Sequence, residues 1–307
     1  MKTVLITGGT GMVGKALSKM LLDMGYAVII LSRSKRNESG NSRLSYAQWD
    51  VNKSVVDTDA LQKADYIVHL AGAPVVDKPW TKAYKEEILN SRTKSITLLT
   101  DNLSRISHKV KAIVSSSAIG WYGPDTRPGY SFTETDPANN DFLGETCRLW
   151  EESVTKAESL GIRVCKLRTG IVLSNEGGAL PEFKTPLRFG VAGILGSGKQ
   201  IISWIHIRDL CRQFIFAIEN EAMSGSYNAV APNPVSNREF TLTLAKRNNP
   251  SFFIPLNVPA FVLKIMMGER SIEVLKSTTV SCEKIMKEGF SFDFPTAALA
   301  INELIQA

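Results

Sequence analysis

The sequence predicts an α/β protein in which a doubly wound parallel sheet carries a smaller, mainly helical C-terminal lobe. Strands and helices alternate as far as Leu173, the strands are apolar runs typical of strands buried on both faces, and loop-rich segments begin near Ser174. The length of 307 residues suits one large domain with a lobe. We assign 1–174 with 200–232 to the sheet domain, and 175–199 with 233–307 to the lobe, including a distinct segment at about 250–300.

Each element follows from its pattern of apolar residues. Val4–Ile6 and Ala27–Leu31 fit buried strands, and Leu17, Met20 and Leu21 between them recur at helical spacing. Further strands are predicted over RLSYAQWDV, ADYIVHLAGA, KAIVSSSAIGWYG and IRVCKLRTGIVL. Helices are predicted over TKAYKEEILNSRTKSITLLTDNLSRI, before the third of these strands, and over GETCRLWEESVTKAESLG, before the fourth. Right-handed crossovers between such strands place a ligand at their carboxyl ends.

The turn between the first strand and the first helix carries closely spaced glycines. Gly8, Gly11 and Gly14 lie three residues apart, which suits one glycine for the turn, one for close approach of a ligand and one for packing of the helix on the strand. A helix N-terminus offers unpaired N–H groups and partial positive charge to a pyrophosphate. Because a buried strand precedes the motif and a strand–helix–strand unit of about 30 residues contains it, we interpret it as a Rossmann-type dinucleotide site rather than a purely structural turn.

The residues after the second strand favour NADP(H) over NAD(H). The sequence there is LSRSKR, without the Asp or Glu that accepts hydrogen bonds from the adenosine ribose in NAD-binding proteins. Ser32 can donate a hydrogen bond to a 2′-phosphate, and Arg33 can clamp it. Lys35, Arg36 and Arg43 are alternative phosphate contacts, and a solvated basic loop is the remaining alternative.

Composition narrows the class of partner. The net charge of +6 comes from 36 basic and 30 acidic residues without a long basic block, which argues against a nucleic-acid partner. We interpret the charge as mild attraction for a phosphorylated ligand, and an ordinary solvated surface is the alternative. No apolar run reaches the ~18 residues of a membrane span, and no signal-peptide core is visible, so we expect a cytoplasmic protein with no membrane partner. The four cysteines form no C-x-x-C pair and the three histidines are dispersed, which predicts reduced thiols and no metal site.

Motifs over nearly the whole chain occur in a characteristic order. They are TGGTGMVG, SR after the second strand, HLAGAP, EEILNSR, SSSAIGWYG, FLGETCRLWE, RTGIVLSNEGGAL, GSGKQIISWIHIRDL, YNAVAPNPVSNREF and GFSFDFP. Together they resemble the extended short-chain dehydrogenase/reductase superfamily, in its atypical branch of epimerase-family, nucleoside-diphosphate-sugar-epimerase-like proteins. IPLNVPAFVLKIMMGE and GFSFDFP resemble the small domain that ends proteins of this branch.

The resemblance implies a set of NADP(H) contacts that agrees with the glycine turn. A tight structural turn is the alternative for Gly72, and a surface ion pair is the alternative for Glu87 with Arg92. Val172 resembles a position on the nicotinamide side. With the glycines of the turn, the predicted contacts are Gly8, Thr10, Gly11, Met12, Val13, Gly14, Ser32, Arg33, Leu70, Ala71, Gly72, Glu87, Arg92 and Val172.

The usual catalytic pair of the superfamily is missing. Most members use a Tyr with a Lys four residues later, and none of the seven tyrosines here has that partner. Leu143 and Cys147 stand at about the expected places. Ser116 or Ser117 could orient a substrate, and Tyr122 could donate a proton, although shaping the site is its commoner role.

Four residues further along the chain resemble a pocket wall. His206 could close the pocket, but a core histidine with satisfied hydrogen bonds is the favoured interpretation. Gln200, Ser203 and Trp204 would add polar and aromatic surface beside it.

Three functions from different classes fit these residues. The first is an NADP(H)-binding oxidoreductase or epimerase-like protein acting on an unknown carbonyl or sugar-like small molecule. The second is a non-catalytic NADP(H)-responsive sensor. The third makes the C-terminal helices the functional surface, as a homodimer interface or a protein-docking face, with a structural cofactor.

Overall fold

The computed structural model describes residues 1–33, 40–248 and 252–306. Lys35 and Arg36, two of the alternative phosphate contacts, lie outside the described residues. The described strands, in chain order, are β1 (Thr3–Thr7), β2 (Ala27–Ser32), β3 (Leu44–Asp50), β4 (Val55–Val56), β5 (Tyr66–His69), β6 (Ala112–Ala118), β7 (Arg163–Thr169), β8 (Ile171–Ser174), β9 (Gly177–Gly178), β10 (Val191–Leu195), β11 (Ile201–Ile202), β12 (Trp204–His206), β13 (Gly225–Ala229), β14 (Val235–Ser236) and β15 (Ile254–Val258).

The helices of the described chain alternate with these strands in the first domain and dominate the C-terminal part. They are α1 (Met12–Asp23), α2 (Thr58–Lys63), α3 (Lys82–Leu103), α4 (Phe142–Thr155), α5 (Leu180–Leu187), α6 (Ile207–Glu219), α7 (Asn237–Asn248), α8 (Ala260–Met267), α9 (Ser271–Leu275), α10 (Glu283–Lys287) and α11 (Ala297–Gln306). Short segments of 3₁₀-helix follow β6, α4 and α8.

An eight-stranded sheet forms the centre of the first domain. Its strand order is β13-β7-β6-β5-β1-β2-β3-β4, and every pairing is parallel except that of β4 with β3. Helices α1 and α6 cover one face, and α3 and α4 cover the other. The Rossmann-type, doubly wound sheet predicted from the sequence is therefore confirmed.

Capping side chains fix where the two long helices of the second face begin. The Thr81 hydroxyl accepts a hydrogen bond from the Tyr84 N–H, and the Asp141 carboxylate accepts one from the Gly144 N–H. Each bond satisfies one of the N–H groups that a helix start leaves without a partner. Both helices begin at the carboxyl edge of the sheet, so their first turns border the predicted ligand crevice.

The run IRVCKLRTGIVL is two strands and not the single buried strand predicted from its apolar pattern. β7 lies in the main sheet, whereas β8 pairs with β12 and β9 in a separate three-stranded sheet. Gly170 separates them, and a Cβ at this position would lie 2.6 Å from the Ser203 carbonyl oxygen and 2.8 Å from a Val230 methyl group. The close backbone approach at Gly170 lets the chain leave the sheet there.

A separate core supports the C-terminal lobe. It includes Leu180 of α5, Trp204 of β12, Phe240 of α7 and Ile301 of α11. The predicted lobe also contained 276–292, yet Val280, Cys282, Ile285 and Phe290 join the core beside the main sheet. The chain thus returns to the first domain before α11 ends it in the lobe.

Candidate functional site

The glycine turn leaves backbone open at the start of α1. Gly8 has φ of +67°, and Gly14 is packed so tightly that a Cβ there would lie 2.4 Å from the Gly8 carbonyl oxygen. At Gly11, the residue before the helix, the same added Cβ would meet only that oxygen, at 3.4 Å. No side chain in the described chain caps this helix start. The N–H groups of the first turn are therefore available to an anion, and the open side of Gly11 suits a pyrophosphate.

A second loop lies directly against the turn. The Thr7 hydroxyl accepts hydrogen bonds from the N–H groups of Leu70 and Ala71, both at 3.1 Å. A Cβ on Gly8 would lie 2.9 Å from the Leu70 carbonyl carbon, so the two loops touch. The structure thus brings Leu70 and Ala71 to the glycine turn. Thr7 was not predicted, although a hydroxyl side chain at the end of an apolar strand could have indicated its role.

Arg92 adds positive charge beside this loop. Its guanidinium donates to the carbonyl oxygens of Ala73 and Ile88, and its Cζ would be 3.0 Å from a Cβ on Gly72. Burial lowers the pKa of Arg92, and no carboxylate pairs with it in the described chain. Glu87 is exposed on α3 and forms no ion pair with Arg92, so the surface pair considered as an alternative is absent from the described residues.

The end of β2 presents Ser32 and Arg33 next to the turn. Ser32 is buried and Arg33 is exposed. A groove of about 320 Å³ borders the turn at Gly9 and Thr10 and runs along α1. Arg43 lies elsewhere: its carbonyl accepts from the Val28 N–H, and its side chain lines a groove of about 410 Å³ at the amino ends of the strands. Arg43 is therefore wrong as an alternative phosphate contact, because it occupies the opposite edge of the sheet.

Met12 and Val172 approach each other from different elements. The Met12 sulfur would lie 3.5 Å from a Cβ on Gly177 and 3.7 Å from one on Gly178, and the latter Cβ would lie 2.9 Å from the Val172 carbonyl oxygen. The β9 hairpin therefore joins β8 to the glycine turn. Val13 is half-buried in the first turn of α1, and Thr10 is exposed before it.

A buried ion pair links Arg168, near the end of β7, to Glu151 on α4. Arg168 Nε donates to Glu151 Oε1 at 2.8 Å and Arg168 Nη2 donates to Oε2 at 3.0 Å, with both side chains almost fully buried. The hydroxyls of Ser117 and Ser226 donate to the same carboxylate, each at 2.8 Å. The guanidinium also lies 3.7 Å from the ring centre of Trp121. Every oxygen of Glu151 is bonded within the protein, so Ser117 serves this network.

Tyr122 belongs to the same network. Its hydroxyl donates to Asn228 Oδ1 at 2.6 Å and accepts from Arg168 Nη1 at 2.9 Å, and its ring stacks on Phe132. Burial raises the pKa of the Tyr122 phenol above its ordinary value, although Arg168 acts in the opposite direction. The geometry favours the shaping role of Tyr122 over proton donation.

Ser116 is the more accessible of the two predicted serines. It is half-buried, and its hydroxyl makes one long bond of 3.3 Å to the Ser117 carbonyl oxygen. Its position past the end of β5, at the carboxyl edge of the sheet, leaves this hydroxyl as the better placed candidate for substrate contact.

An apolar wall stands where the superfamily usually has its Tyr–Lys pair. Leu143 is buried against Gly120, whose added Cβ would lie 3.2 Å from the Leu143 Cβ and 3.9 Å from the Cys147 sulfur. Burial raises the pKa of the Cys147 thiol to about 12, with nearby Arg92 acting in the opposite direction. Neither side chain can replace the missing acid at neutral pH.

The residues predicted as a pocket wall hold the fold together instead. His206 Nδ1 accepts from the Arg208 N–H, and its Nε2 lies 3.0 Å from Glu303 Oε2, as expected for a satisfied core histidine. Gln200, Ser203 and Trp204 were wrongly predicted as pocket wall, because all three are buried. They bind backbone carbonyl oxygens of Leu195, Val274, Thr278 and Asn233.

The four cysteines are buried and unpaired, as predicted. No group of three metal-binding side chains occurs among the described residues. None of the described helices combines the length and hydrophobicity that crossing a bilayer requires.

Residues 4–230 match the model of the NAD dependent epimerase/dehydratase family. The chain belongs to this family. Residues 258–304 match a second model, a domain of unknown function, DUF1731. The resemblance inferred from the motifs is confirmed by these two matches.

Curated epimerase family proteins match over the full length. The Staphylococcus haemolyticus protein SH2119 is 37% identical over 311 residues, covering 100% of both chains. YfhF of Bacillus subtilis is 33% identical over 303 residues, covering 98% of this chain and 97% of that protein.

Solved structures extend the comparison to a bound ligand. The human epimerase family protein SDR39U1, solved with NADPH, is 28% identical with a TM-score of 0.85 and 99% coverage of both chains. A nucleoside-diphosphate sugar epimerase from Corynebacterium glutamicum is 33% identical with a TM-score of 0.78; it matches 99% of this chain, which spans 58% of that protein. This epimerase-family chain therefore shares its architecture with a protein that binds a nicotinamide dinucleotide.

Proposed function

We propose that this epimerase-family chain binds NADP(H) and acts as an oxidoreductase or nucleoside-diphosphate-sugar-epimerase-like protein on a carbonyl or sugar-like substrate. The observation that carries the proposal is the end of β2, where Ser32 and Arg33 replace an acidic residue beside an open glycine turn. The human relative solved with NADPH supports the same cofactor.

The chain's own groups divide the binding between them. The first turn of α1 and the open side of Gly11 would hold the pyrophosphate. Arg33 would clamp the 2′-phosphate, and Arg92 would place positive charge near Gly72. Ser116 would offer a hydroxyl to the substrate. When bound, NADP(H) would exchange a hydride with that substrate.

A non-catalytic sensor is the second candidate, and a specific observation favours it. Leu143 and Cys147 form an apolar wall, and the hydroxyl groups of Ser117 and Tyr122 are already bonded within the buried network. A site of this kind binds a cofactor without a ready proton donor. Cofactor binding would then act through changed contacts with a partner.

Cofactor choice is tested by thermal unfolding with NADPH and NADH at equal concentration. NADPH should raise the melting temperature more, because a ligand that binds the folded state stabilises it by mass action. Arg33→Ala should erase most of that difference. Arg43→Ala is the matched control and should keep it, since Arg43 lies at the opposite edge of the sheet. Equal shifts by the two cofactors in the wild type would contradict the proposal.

Catalysis is tested by screening carbonyl compounds and nucleotide sugars while following NADPH absorbance or epimer formation. Turnover that Ser116→Ala reduces without weakening NADPH binding would support the enzyme. Absence of turnover, combined with NADPH-dependent self-association or partner capture, would favour the sensor.

A further inference from the structure

Two consecutive elements of the C-terminal lobe, β15 and α8, and the turn beside β15 expose large apolar side chains, which together we call the β15–α8 face. It consists of Ile254 and Leu256 on β15, Phe261, Ile265 and Met266 on α8, and Phe189 on the turn before β10. The Ile254 N–H donates to the Gly190 carbonyl at 2.8 Å, so the turn lies beside the strand. Exposed fractions reach 79% for Ile265 and 82% for Phe189.

The elements of this face have almost no buried side. Four of the five residues of β15 are exposed and the fifth is half-buried, and only Leu263 of α8 is buried. Six side chains of this size present on the order of several hundred Å² of apolar surface, comparable to the largest patches on ordinary monomers, and such patches mark interaction sites.

Pro255 argues against the addition of another β-strand to the edge of β15. Ile254 and Val258 direct their backbone groups toward β10, so the intervening Pro255 and Asn257 are on the outer edge of the strand. Proline has no N–H to donate, which blunts this edge against pairing with another strand. A partner that covers the apolar side chains therefore fits this face better than a partner that adds a strand to the sheet.

The net positive charge around the β15–α8 face indicates the chemistry of its binding partner. Residues 180–195 and 238–270, which carry or adjoin the face, contain seven Lys or Arg and three Glu, a net charge of +4. Arg188, Lys246, Arg247 and Lys264 are exposed, and none pairs with a carboxylate among the described residues. A second copy of the chain would bring two such positive surfaces together, which costs free energy. A negatively charged surface is complementary to them.

We propose that the β15–α8 face binds the surface of an anionic lipid bilayer. Aromatic and aliphatic side chains on a short helix and a turn would enter the boundary between headgroups and acyl chains, while the cations would contact anionic headgroups. This proposal departs from the sequence-based expectation of no membrane partner, which followed from the lack of an apolar run long enough to span a bilayer. Attachment at the interface needs no such run.

Vesicle sedimentation tests the proposal. The wild type should bind vesicles of phosphatidylcholine with about one third phosphatidylglycerol at least about tenfold more tightly than vesicles of phosphatidylcholine alone, and less tightly as salt increases. The double variant Phe261→Ser/Ile265→Ser should lose most binding, and Arg188→Glu/Lys264→Glu should lose the preference for anionic lipid. Met24→Ser, at a position 50% exposed in the first domain, should bind like the wild type.

Three results would overturn the proposal. The first is that the wild type pellets with neither vesicle, and the second is that both double variants bind as the wild type does. In the third, sedimentation velocity would show a dimer that Phe261→Ser/Ile265→Ser dissociates, which would make a second copy the occupant. Unchanged melting temperatures establish that each variant is folded.

Discussion

The hydroxyl group of Tyr122 connects three parts of the chain. It donates to Asn228 on β13 and accepts from Arg168 on β7, while its ring packs on Phe132. Both of its hydrogen-bonding roles are thus filled by buried partners. A substrate would have to displace one of these bonds before the phenol could give it a proton, and the raised pKa makes loss of that proton unfavourable.

Tyr122→Phe should therefore lower stability and leave cofactor binding unchanged. Removing the hydroxyl leaves buried groups of Asn228 and Arg168 without a partner, which costs about 1–3 kcal/mol in the free energy of unfolding. Urea unfolding and NADPH titration measure the two quantities. Tyr130→Phe, whose hydroxyl bonds a single carboxylate, Asp136, at a less buried site, should cost less. If Tyr122→Phe instead abolished a turnover found by screening, with NADPH affinity intact, the phenol would be the proton donor.

His69 should make stability fall in mild acid. Burial, followed by the charge of Arg92, lowers the pKa of His69 from its ordinary 6.5 to about 3. Between these values the unfolded chain binds a proton that the folded chain does not, so the free energy of unfolding decreases as pH falls, by up to about 1.4 kcal/mol per pH unit. Urea unfolding between pH 7.5 and 5 measures how the free energy of unfolding depends on pH, and this dependence should be weaker in His69→Gln than in the wild type. Equal dependence on pH in the two proteins would contradict the lowered pKa of His69.

Local chemistry explains which site residues the sequence predicts. In the proposed site, Gly8, Gly11 and Ser32 would act through their own backbone or hydroxyl near the end of a strand or the start of a helix, so the pattern around each position is sufficient. Glu151 and Arg168 act as a pair that joins α4 to β7. Charged residues inside apolar runs were the available signal, but their partners became visible only when the helix packed on the sheet.

At the scale of single elements, the glycine turn makes a sharp prediction. Gly11→Val would place a branched Cβ in the open space that a bound pyrophosphate would occupy in the proposed site, so NADPH affinity should fall by about tenfold or more. Gly40→Val is the control, because a Cβ at Gly40 meets no atom of the described residues within 4 Å. Fluorescence titration measures affinity, and circular dichroism checks the fold. Retained affinity in Gly11→Val would remove the turn from the site.

The division of β7 from β8 shows where element prediction ends. Periodicity treats Ile162–Leu173 as one apolar run, because both strands are largely buried. A glycine is required at position 170 because Ser203 and Val230 leave no room for a Cβ, and both follow Gly170 by more than 30 positions in the sequence. No local pattern contains that information.

At the scale of the whole molecule, residues near the C-terminus close the first domain. The Asp125 carboxylate accepts hydrogen bonds from the Thr279 N–H and hydroxyl, at 2.6 and 2.7 Å, and the Asp125 N–H donates to the Ser277 carbonyl. Phe132 bridges to Val280 just beyond. These contacts hold the returning segment against the loop that follows β6.

Asp125→Ala should loosen this segment. The loss of two acceptor bonds leaves the N–H and hydroxyl of Thr279 without partners, so the free energy of unfolding should decrease by about 1–3 kcal/mol. Hydrogen exchange at the Thr279 amide should accelerate more than exchange in β1. Asp101→Ala, exposed on α3, is the control and should change neither quantity. Unchanged exchange at Thr279 would show that the segment is held by its apolar contacts alone.

The return of 280–290 to the sheet also determines when the protein can fold during synthesis. The core beside the sheet joins Val4 of the first strand to Phe290, and β13 completes the sheet only at Ala229. When the first 200 residues of a nascent chain have left the ribosome, their apolar surface is therefore still exposed, because the residues that cover it have not been synthesised. Such a topology, dominated by contacts distant in sequence, folds slowly and leaves nascent chains prone to aggregation. We expect chains truncated before Val280 to need chaperones and to be degraded rapidly in cells.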